Sequence, residues 1–353
     1  MGINSYNITR ATGGGVTGNF SNKINVVYSS DNKFAEIVGV SLVSLYENNT
    51  NFSNIDVYVI DENISEENKE KLQSIPANYN RSPINWLHCP NLNNLLNLNI
   101  ATDRGSLSQF SRLMVGSLLP DNLNRVIYLD CDIVINKSLK ELWELDLNNS
   151  VVAALDDCFS KYYRKNLGLA PTATIFNSGV LLIDLQSWRS HEIETKLLDF
   201  IRLKKGKVQQ SDQGVLSAVL SKDCRIIDPK FNAVTIFFDF NYQEILTYRK
   251  PPKDYYSEER INEAIKHPYI IHYTSSFMSK RPWMKGCKHR YAYKWLFYKD
   301  LTPWIDSPLW NDNRNKLKLL CFALAKLLPR KALIFVASIF QVYVRPLKTK
   351  IIS

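Results

Sequence analysis

The sequence predicts an α/β fold in which a mostly parallel sheet lies between layers of helices. Short apolar runs typical of buried strands alternate along the chain with stretches whose apolar residues recur at helical spacing. The chain has 353 residues, of which 45% are hydrophobic and 12% aromatic, so it can bury a large core. Polar residues follow several of these apolar runs, which is where ligands bind in open α/β sheets.

The predicted strands are rich in Val, Ile, Leu and Tyr, and they cover residues 24–28, 55–60, 84–88, 125–135, 151–155 and 179–185. The predicted helices show helical spacing or a capping signal, and they cover residues 34–46, a segment from 65 onward, 108–118, 187–204 and 211–220. This alternation favours crossover connections and therefore parallel neighbours in the sheet.

Two carboxylates interrupt the strand predicted at residues 125–135. Asp130 and Asp132 are two positions apart, so on a strand they point to the same side, repel each other and lose hydration. A cation such as Mg²⁺ or Mn²⁺ takes oxygen ligands and would offset that cost while holding phosphate oxygens. We therefore predict a metal-diphosphate site, and two exposed aspartates at an ordinary strand end are the alternative.

The cysteines and the first residues of the chain indicate the compartment. The six cysteines are scattered and form no C-x-x-C pair, which favours a reducing environment. The first residues lack the basic start and apolar core of a signal peptide. We expect a cytoplasmic protein.

The net charge of +10 comes almost entirely from residues 314–353. That segment has nine Lys or Arg and no Asp or Glu, whereas the remainder has 35 basic and 34 acidic residues. Its apolar runs, 317–328 and 332–344, are each shorter than the roughly 20 residues that span a bilayer. Basic, apolar helices suit an anionic membrane interface, and a helical pair packed on the core is the alternative. Long aliphatic runs argue against a nucleic-acid site.

Five clusters carry more polar residues than a core requires: residues 28–31, 130–132, 176–179, 210–213 and 270–275. The first two follow predicted strands of one sheet, so we expect them to share a crevice at its carboxyl edge. Together and in this order, the clusters resemble the retaining glycosyltransferases of family 8. The resemblance runs from residue 25 to residue 289.

The family resemblance implies a fold and an activity. The fold is the GT-A type, a nucleotide-sugar-binding, Rossmann-like mixed sheet flanked by helices. The activity is metal-dependent transfer of galactose or glucose from a UDP-sugar to a saccharide acceptor of lipopolysaccharide, capsule or another surface glycan. Mn²⁺ or Mg²⁺ is the implied cofactor. We expect a flexible polar extension at residues 1–22, a catalytic domain at 23–290 and a helical, membrane-associating region at 291–353.

The resemblance also implies roles for individual residues. It assigns metal binding to Asp130, Asp132 and His272. It places Asp212 and Gln213 beneath the donor sugar, with the glutamine near the anomeric carbon. It assigns donor binding to a further group, namely Ser29, Asp31, Lys33, Arg112 and Asn177. A neutral glutamine is a poor nucleophile, which favours front-face attack, while double displacement through Asp212 stays open.

The chain departs from the family pattern after His272. The segment that leads to Pro282 is longer than in many relatives, and Ser275 or Ser276 stands where those have a glycine. We expect Ser275 and one of the two cations before the proline, Lys280 or Arg281, to contact the diphosphate.

A phosphatase of the haloacid dehalogenase type is the alternative function, because its Asp-x-Asp motif also follows an apolar strand. That class places the motif near the N-terminus and needs a later Gly-Asp pair, which this chain does not contain.

Overall fold

The computed structural model of the chain describes residues 22–102, 107–312 and 328–352. The predicted extension, apart from residue 22, and the apolar run 317–328, apart from its last residue, lie outside the described residues.

The described residues form two sheets. Their strands are β1 Lys23–Asp31, β2 Asn54–Glu62, β3 Asn85–His88, β4 Arg125–Leu129, β5 Ile133–Ile135, β6 Val152–Asp156, β7 Phe176–Asp184, β8 Cys224–Ile226, β9 Ala233–Val234 and β10 Ile270–His272. The large sheet has the order β3-β2-β1-β4-β7-β6-β8, and the small sheet has the order β5-β10-β9. In the large sheet β7 is antiparallel to both of its neighbours, and the remaining pairs are parallel.

Helices flank the large sheet, and two more helices form the last described part of the chain. They are α1 Ala35–Glu47, α2 Glu66–Asn78, α3 Leu92–Leu96, α4 Val115–Leu118, α5 Lys140–Trp143, α6 Lys161–Leu167, α7 Leu185–Ser190, α8 Ile193–Leu203, α9 Ser211–Leu220, α10 Thr235–Asp239, α11 Tyr242–Arg249, α12 Glu258–Lys266, α13 Ala292–Lys299, α14 Arg330–Ile339 and α15 Arg345–Ile352. Short 3₁₀ helices lie at Asn32–Phe34, Ser108–Met114 and Pro229–Asn232. The predicted fold class, a mixed sheet flanked by helices, is confirmed.

Two hydrophobic cores lie on opposite faces of the large sheet. Along β1, Val26 and Tyr28 belong to one core and Val27 belongs to the other. Successive side chains on a strand point to opposite faces, so a strand buried on both sides reads as the continuous apolar run seen in the sequence.

The strand predicted at residues 125–135 is in fact two strands, so that prediction is wrong at its centre. The chain leaves the large sheet after Leu129 and joins the small sheet at Ile133, where β5 pairs antiparallel with β10. Apolar residues on both sides of the break are buried, each in its own sheet, so the sequence shows a single apolar run that only residues 130–132 interrupt. Asp130 and Asp132 therefore lie in the connection between the sheets.

Two predicted helices differ from the structure as well. The segment 187–204 is two helices, α7 and α8, because Glu192 between them adopts a left-handed backbone with φ of 50°. The segment 108–118 is mostly 3₁₀ helix and becomes α-helical only in α4. The predicted helix at 211–220 matches α9.

The C-terminal helix is longer than the apolar run that predicted it. Helices α14 and α15 are joined by a π-helical turn at Phe340–Val344, and residues Arg330–Thr349 form 20 helical residues of mean hydropathy 1.2. By length and composition alone this helix could cross a bilayer, so the expectation that the run is too short does not hold for the helix containing it. It packs on α11 and α6.

A proline explains how this helix attaches to the domain. Pro346 has no N–H, so the carbonyl of Val342, four residues earlier, lacks its α-helical donor. The Ser160 hydroxyl donates to that carbonyl at 3.4 Å, and the Tyr163 hydroxyl donates to the carbonyl of Gln341 at 2.7 Å. The irregular turn is thus hydrogen-bonded to the segment around α6.

Candidate active site

A cleft of about 650 Å³ opens at the carboxyl ends of the strands in the large sheet. It brings together most of the residues that the sequence singled out. Those that line it are Ser29, Asp31, Lys33, Arg112, Asp130, Asp132, Asn177, Asp212, Gln213, His272 and Ser275. Lys280 and Arg281 are not among its lining residues.

Two carboxylates and an imidazole converge at the centre of the cleft. His272 Nε2 lies 3.1 Å from Asp132 Oδ1 and 3.7 Å from Asp130 Oδ2. The antiparallel register of β5 and β10 produces this proximity, because it sets His272 opposite Ile133, the residue after Asp132. His272 and Asp132 are 2% and 5% exposed, so these polar groups are desolvated as well as close.

The hydrogen bond at the other ring nitrogen orients His272. Its Nδ1 lies 2.9 Å from Asn232 Oδ1, and Asn232 Nδ2 donates to Asn177 Oδ1 at 2.9 Å. With its NH₂ group committed to Asn177, Asn232 presents its oxygen to the ring, so the network assigns the proton to Nδ1. Nε2 then faces two carboxylates with a lone pair, which is the arrangement that a metal-binding histidine needs.

Two further observations show that Asp130, Asp132 and His272 could hold a divalent cation. The ligand atoms of Asp130, Asp132 and His272 all lie within 4.8 Å of one another. A Cβ on Gly179 would lie 2.2 Å from His272 Cε1 and 2.8 Å from Asp130 Oδ2, so only glycine leaves room for this group. The donor set of two carboxylates and one imidazole suits a divalent metal.

Arg112 connects the candidate metal-binding group, which is Asp130, Asp132 and His272, to the start of α9. Its Nη2 lies 2.8 Å from Asp130 Oδ1, its Nε lies 3.1 Å from Asp212 Oδ2, and its Nη1 donates to the Ser178 carbonyl at 2.8 Å. Burial alone would lower the pKa of Arg112, but the two carboxylates outweigh burial and raise it. The guanidinium fork that was expected to meet a donor phosphate is therefore held by protein carboxylates.

A strained turn sets the position of Asp212 and Gln213. Gln210 and Ser211 both have left-handed backbones, with φ of 68° and 51°, and a Cβ on Gly214 would lie 1.8 Å from the Gln209 carbonyl oxygen. The chain thus turns tightly into α9 and directs its first turn at the cleft. Asp212 accepts a hydrogen bond of 3.0 Å from the Ser178 hydroxyl.

Gln213, the residue after Asp212, makes two hydrogen bonds with side chains of the cleft. Its Nε2 donates to Asp157 Oδ2 at 3.1 Å, and its Oε1 accepts from Asn177 Nδ2 at 3.5 Å. Both ends of the amide are therefore fixed. The hydrogen bonds of Asn177 to Asn232 and to the Gly179 N–H join Gln213 to the group around His272.

The polar residues at the end of β1 line the other side of the cleft. Ser29 donates from Oγ to the Ser108 carbonyl at 2.9 Å, and Asp31 Oδ1 accepts from the Phe34 N–H at 3.0 Å. The Lys33 ammonium lies 5.3 Å from the centre of the Trp310 ring. The prediction that the clusters after strands 1 and 4 share a crevice agrees with this cleft.

The structure separates the two cations that the sequence left open. Arg281 Nη2 lies 3.2 Å from Asp132 Oδ2 and donates to Ser275 Oγ at 2.9 Å. Lys280 Nζ instead lies 3.2 Å from Asp312 Oδ2 and donates to the Lys285 carbonyl at 3.2 Å. Arg281 is thus the cation beside the metal-binding group.

Comparison with known proteins identifies the family. The model of glycosyl transferase family 8 matches residues 25–287, about three quarters of the chain. The chain belongs to this family. The predicted resemblance is therefore confirmed, the protein is a glycosyltransferase, and the phosphatase alternative is unsupported.

Relatives in the family span most of this chain. General stress protein A of Bacillus subtilis is 27% identical over 294 residues, which cover 82% of this chain and 98% of that protein. The lipopolysaccharide 1,2-glucosyltransferase of Escherichia coli is 27% identical over 291 residues, 82% of this chain and 81% of that protein. The crystal structure of the galactosyltransferase LgtC with donor and acceptor sugar analogues superposes with a TM-score of 0.67 at 21% identity, over 80% of this chain and 99% of that chain. This likeness shows the shared GT-A fold.

Several residues of this family 8 site were missed in the sequence. Asp157 follows the apolar run of β6, so the rule that drew attention to Asp130 could have found it. Asn232 is the last residue of a 3₁₀ helix, and no distinguishing sequence pattern marks it. The far end of the cleft, beyond Gln213, is lined by Phe159, Tyr248, Arg249 and Arg345, which come from separate elements without a shared motif.

Proposed function

We propose that the protein is a metal-dependent, retaining hexosyltransferase that moves galactose or glucose from a UDP-sugar to a saccharide acceptor of a surface glycan. The observation that carries the proposal is the convergence of Asp130, Asp132 and His272 in the same cleft as Asp212 and Gln213. One group suits the charge of a diphosphate, and the other offers hydrogen bonds to sugar hydroxyls.

Mn²⁺ is the metal we propose for Asp130, Asp132 and His272. Mg²⁺ prefers oxygen ligands and near-ideal octahedral geometry, whereas an imidazole in the donor set favours a transition-metal ion. When bound, the cation would neutralise charge that develops on the diphosphate as the glycosidic bond breaks.

Donor binding is assigned to the groups around this centre. Ser29 and Asp31, with Lys33, would meet the nucleoside, and Arg281 with Ser275 would meet the diphosphate from the side of Asp132. Lys280 is a weaker candidate, because its ammonium is engaged by Asp312. Arg112 would act by holding Asp130 and Asp212 in place, and Asn177 would face the donor sugar.

The contacts of Asp212 and Gln213 bear on the mechanism. Asp212 Oδ2 accepts from both Arg112 and Ser178, which lowers its nucleophilicity. Gln213 is neutral and held by Asp157 and Asn177. Both observations favour front-face attack, in which the departing phosphate takes the acceptor proton, over double displacement through Asp212.

The acceptor class is proposed from relatives. Besides the glucosyltransferase of Escherichia coli, the lipopolysaccharide 1,3-galactosyltransferase of Salmonella typhimurium is 23% identical over 299 residues, 82% of this chain and 82% of that protein. We propose a lipid-linked, lipopolysaccharide-type or capsular saccharide as the acceptor.

The C-terminal helix supports attachment to the cytoplasmic face of the membrane. One side of it packs on the catalytic domain, where Arg330 pairs with Glu244 at 2.7 Å. The other side is exposed and apolar, with Phe335, Phe340 and Leu347 exposed by 60%, 61% and 58%. A helix held along the domain with an apolar outer face suits peripheral binding in the interface better than crossing the bilayer.

The division into an extension at 1–22, a catalytic domain at 23–290 and a C-terminal region at 291–353 stays part of the proposal. Within the last region, α13 packs on α1 and buries Trp295 in the core. Membrane contact is therefore assigned to α14 and α15 rather than to α13.

A donor screen tests the proposed function. The purified protein is given UDP-glucose, UDP-galactose and other UDP-hexoses with Mn²⁺, with Mg²⁺ or with a chelator, and UDP release is measured. We expect metal-dependent release from UDP-galactose or UDP-glucose. Phosphate release from small phosphomonoesters, with no turnover of any UDP-hexose, would overturn the proposal.

A further inference from the structure

The far end of the cleft contains hydrogen-bond donors that no group of the described residues satisfies. Arg249, the last residue of α11, has its Nε and Nη1 atoms buried without a hydrogen-bond partner in that part of the chain. The Nε2 atom of Gln210, which lines the same cleft, is likewise buried without a described partner. A buried donor lowers the stability of the protein, and a charged donor lowers it more, unless some group accepts its hydrogen bond.

The guanidinium of Arg249 is held by aromatic rings rather than by a carboxylate. Its central carbon lies 4.8 Å from the centre of the Phe159 ring and 5.2 Å from that of Tyr248. Among the described residues, no carboxylate is within ion-pair distance of it. Asp157, an acid that shares this part of the cleft, directs its Oδ2 to Gln213 and Asn177 instead.

A second cation reaches this end from the C-terminal helix. Arg345, the first residue of α15, lines the cleft and donates from Nη2 to Gln210 Oε1 at 3.3 Å. Asn166 donates to the Pro346 carbonyl at 2.8 Å, which fixes the helix beside the cleft at that point. The Gln210 amide oxygen thus accepts a hydrogen bond from Arg345, and its NH₂ group can donate to a different acceptor.

The lining here differs in character from that at the other end of the cleft, around Asp130, Asp132 and His272. We call that other end the metal end. Phe159 and Tyr248 lie against the Arg249 guanidinium and Phe240 lines the same cleft, and such rings present flat surfaces to sugar rings. A guanidinium fork matches the paired oxygens of a phosphate or carboxylate. The metal end already has Arg281 beside Asp132, so the donor diphosphate has its own cations there.

We infer that this end is the acceptor subsite and that it takes a saccharide bearing an anionic group, a phosphoryl or a carboxylate, with Arg249 as its main specificity-determining residue. This inference rests on the proposed function, because it takes Gln213 and the metal-binding group as the donor side. Arg345 and the Gln210 amide extend the same recognition at the mouth of the cleft.

Direct binding to the UDP-loaded enzyme tests the inference. With UDP and Mn²⁺ present, so that the diphosphate region is filled, affinities are measured by isothermal titration calorimetry for galactose 6-phosphate, methyl glucuronide and the neutral methyl galactoside. We expect at least one acidic sugar to bind about tenfold or more tightly than the neutral one. Comparison of the phosphate and the uronate shows which anionic group is recognised. Equal affinities in the wild type would overturn the inference without any variant.

Variants locate the preference at Arg249. Arg249→Gln should reduce the preference for the acidic sugar to near unity, and Arg249→Lys, which keeps the charge but not the fork, should retain part of it. Arg260→Gln is the matched control, since Arg260 lies over the Tyr256 ring but is exposed and paired with Asp228. Because Arg249 packs between rings, thermal melting checks that each variant is folded.

Three outcomes would count against the subsite. The first is an acidic preference that persists in folded Arg249→Gln. The second is binding of inorganic phosphate as tight as that of galactose 6-phosphate, which would mean an anion site without sugar recognition. The third is a raised KM for the UDP-hexose in Arg249→Gln, which would place Arg249 on the donor side. Failure of wild-type donor turnover would instead overturn the proposed function itself.

Discussion

The two ends of the cleft treat their charged groups in opposite ways. At the metal end, Arg112 makes short contacts to Asp130, Asp212 and the Ser178 carbonyl. At the far end, two buried N–H groups of Arg249 have no partner among the residues that the structure describes. The metal end is organised in advance by the protein's own groups, whereas the far end depends on a ligand to complete its hydrogen bonds.

The difference between the two ends matches two different requirements, one for catalysis and one for the choice of ligand. A transition state is stabilised best by groups that are fixed before the reaction, because they need no reorganisation. A site that selects its ligand gains from donors that only the correct ligand satisfies, since a wrong ligand leaves them buried and unpaired.

The largest expected effect comes from breaking the metal end. Asp132→Asn removes a charge from the group that faces His272, and we expect UDP release to fall about a thousandfold, as several kcal/mol of stabilisation are lost. UDP release at saturating Mn²⁺ measures it. Asp121→Asn, an exposed aspartate, is the control, and near-normal turnover in folded Asp132→Asn would refute the metal role.

A smaller effect should follow when only the organisation of that end is loosened. Asn232→Ala removes the acceptor for His272 Nδ1, and we expect the Mn²⁺ concentration for half-maximal rate to rise about 10- to 100-fold. Excess Mn²⁺ should restore most of the rate. The matched control, Asn136→Ala, removes a hydrogen bond to the Pro268 carbonyl just outside β5 and β10, at the end of this strand pair away from His272. An unchanged Mn²⁺ dependence in Asn232→Ala would show that the orientation of His272 does not need this bond.

The outer face of the helix that brings Arg345 to the far end can be tested separately. The double change Phe335→Ser and Phe340→Ser removes two exposed rings, and we expect binding to phosphatidylglycerol vesicles to fall about tenfold. Vesicle sedimentation measures it. Leu203→Ser, which replaces a leucine exposed by 75% on α8, is the control. Sedimentation equal to that of the wild type would reject membrane contact by this face.

The smallest expected effect concerns Asp156, whose neighbour Asp157 contacts Gln213. Burial raises the pKa of Asp156 to about 7, and its Oδ1 atom is buried without a hydrogen-bond partner in the described part of the chain. The folded protein therefore holds this proton between about pH 4 and pH 7, where the unfolded chain releases it, and the free energy of unfolding falls as the pH rises through that window. Asp156→Asn should be about 2 kcal/mol more stable than the wild type at pH 8.

Denaturant melts of Asp156→Asn and wild type at pH 5 and pH 8 measure that difference. Asp199→Asn, a change of an exposed acid on α8, is the control. The same stability difference at both pH values would mean that the charge of Asp156 is not its cause.

Much of the fold and of the metal end could be predicted because the signals are local in sequence. Asp130 and Asp132 stand in one apolar run, and residues 210–213 form the start of a helix that begins where expected. The apolar run 125–135 did not reveal that its two halves belong to different sheets, because the residues on both sides of the break are equally buried.

The far end could not be predicted for the opposite reason. Phe159, Arg249 and Arg345 lie on three elements, and no spacing rule joins them. An isolated arginine in the sequence gives no indication of whether its N–H groups are paired, because pairing depends on the packing of α11 against the chain end. Asn232 was missed for the same reason, because its role in orienting His272 depends on a contact between residues that are distant in sequence.

The position of the candidate metal-binding group, at the passage of the chain from one sheet to the other, would have a consequence for stability. Asp130 and Asp132 lie where the chain passes from the large sheet to the small one, and His272 lies on β10, some 140 residues later. A bound ion would act as a cross-link that closes this long loop and ties the two sheets together. Because the unfolded chain does not hold these ligands together, a Mn²⁺ concentration one hundred times its Kd would add about 2.7 kcal/mol to the free energy of unfolding.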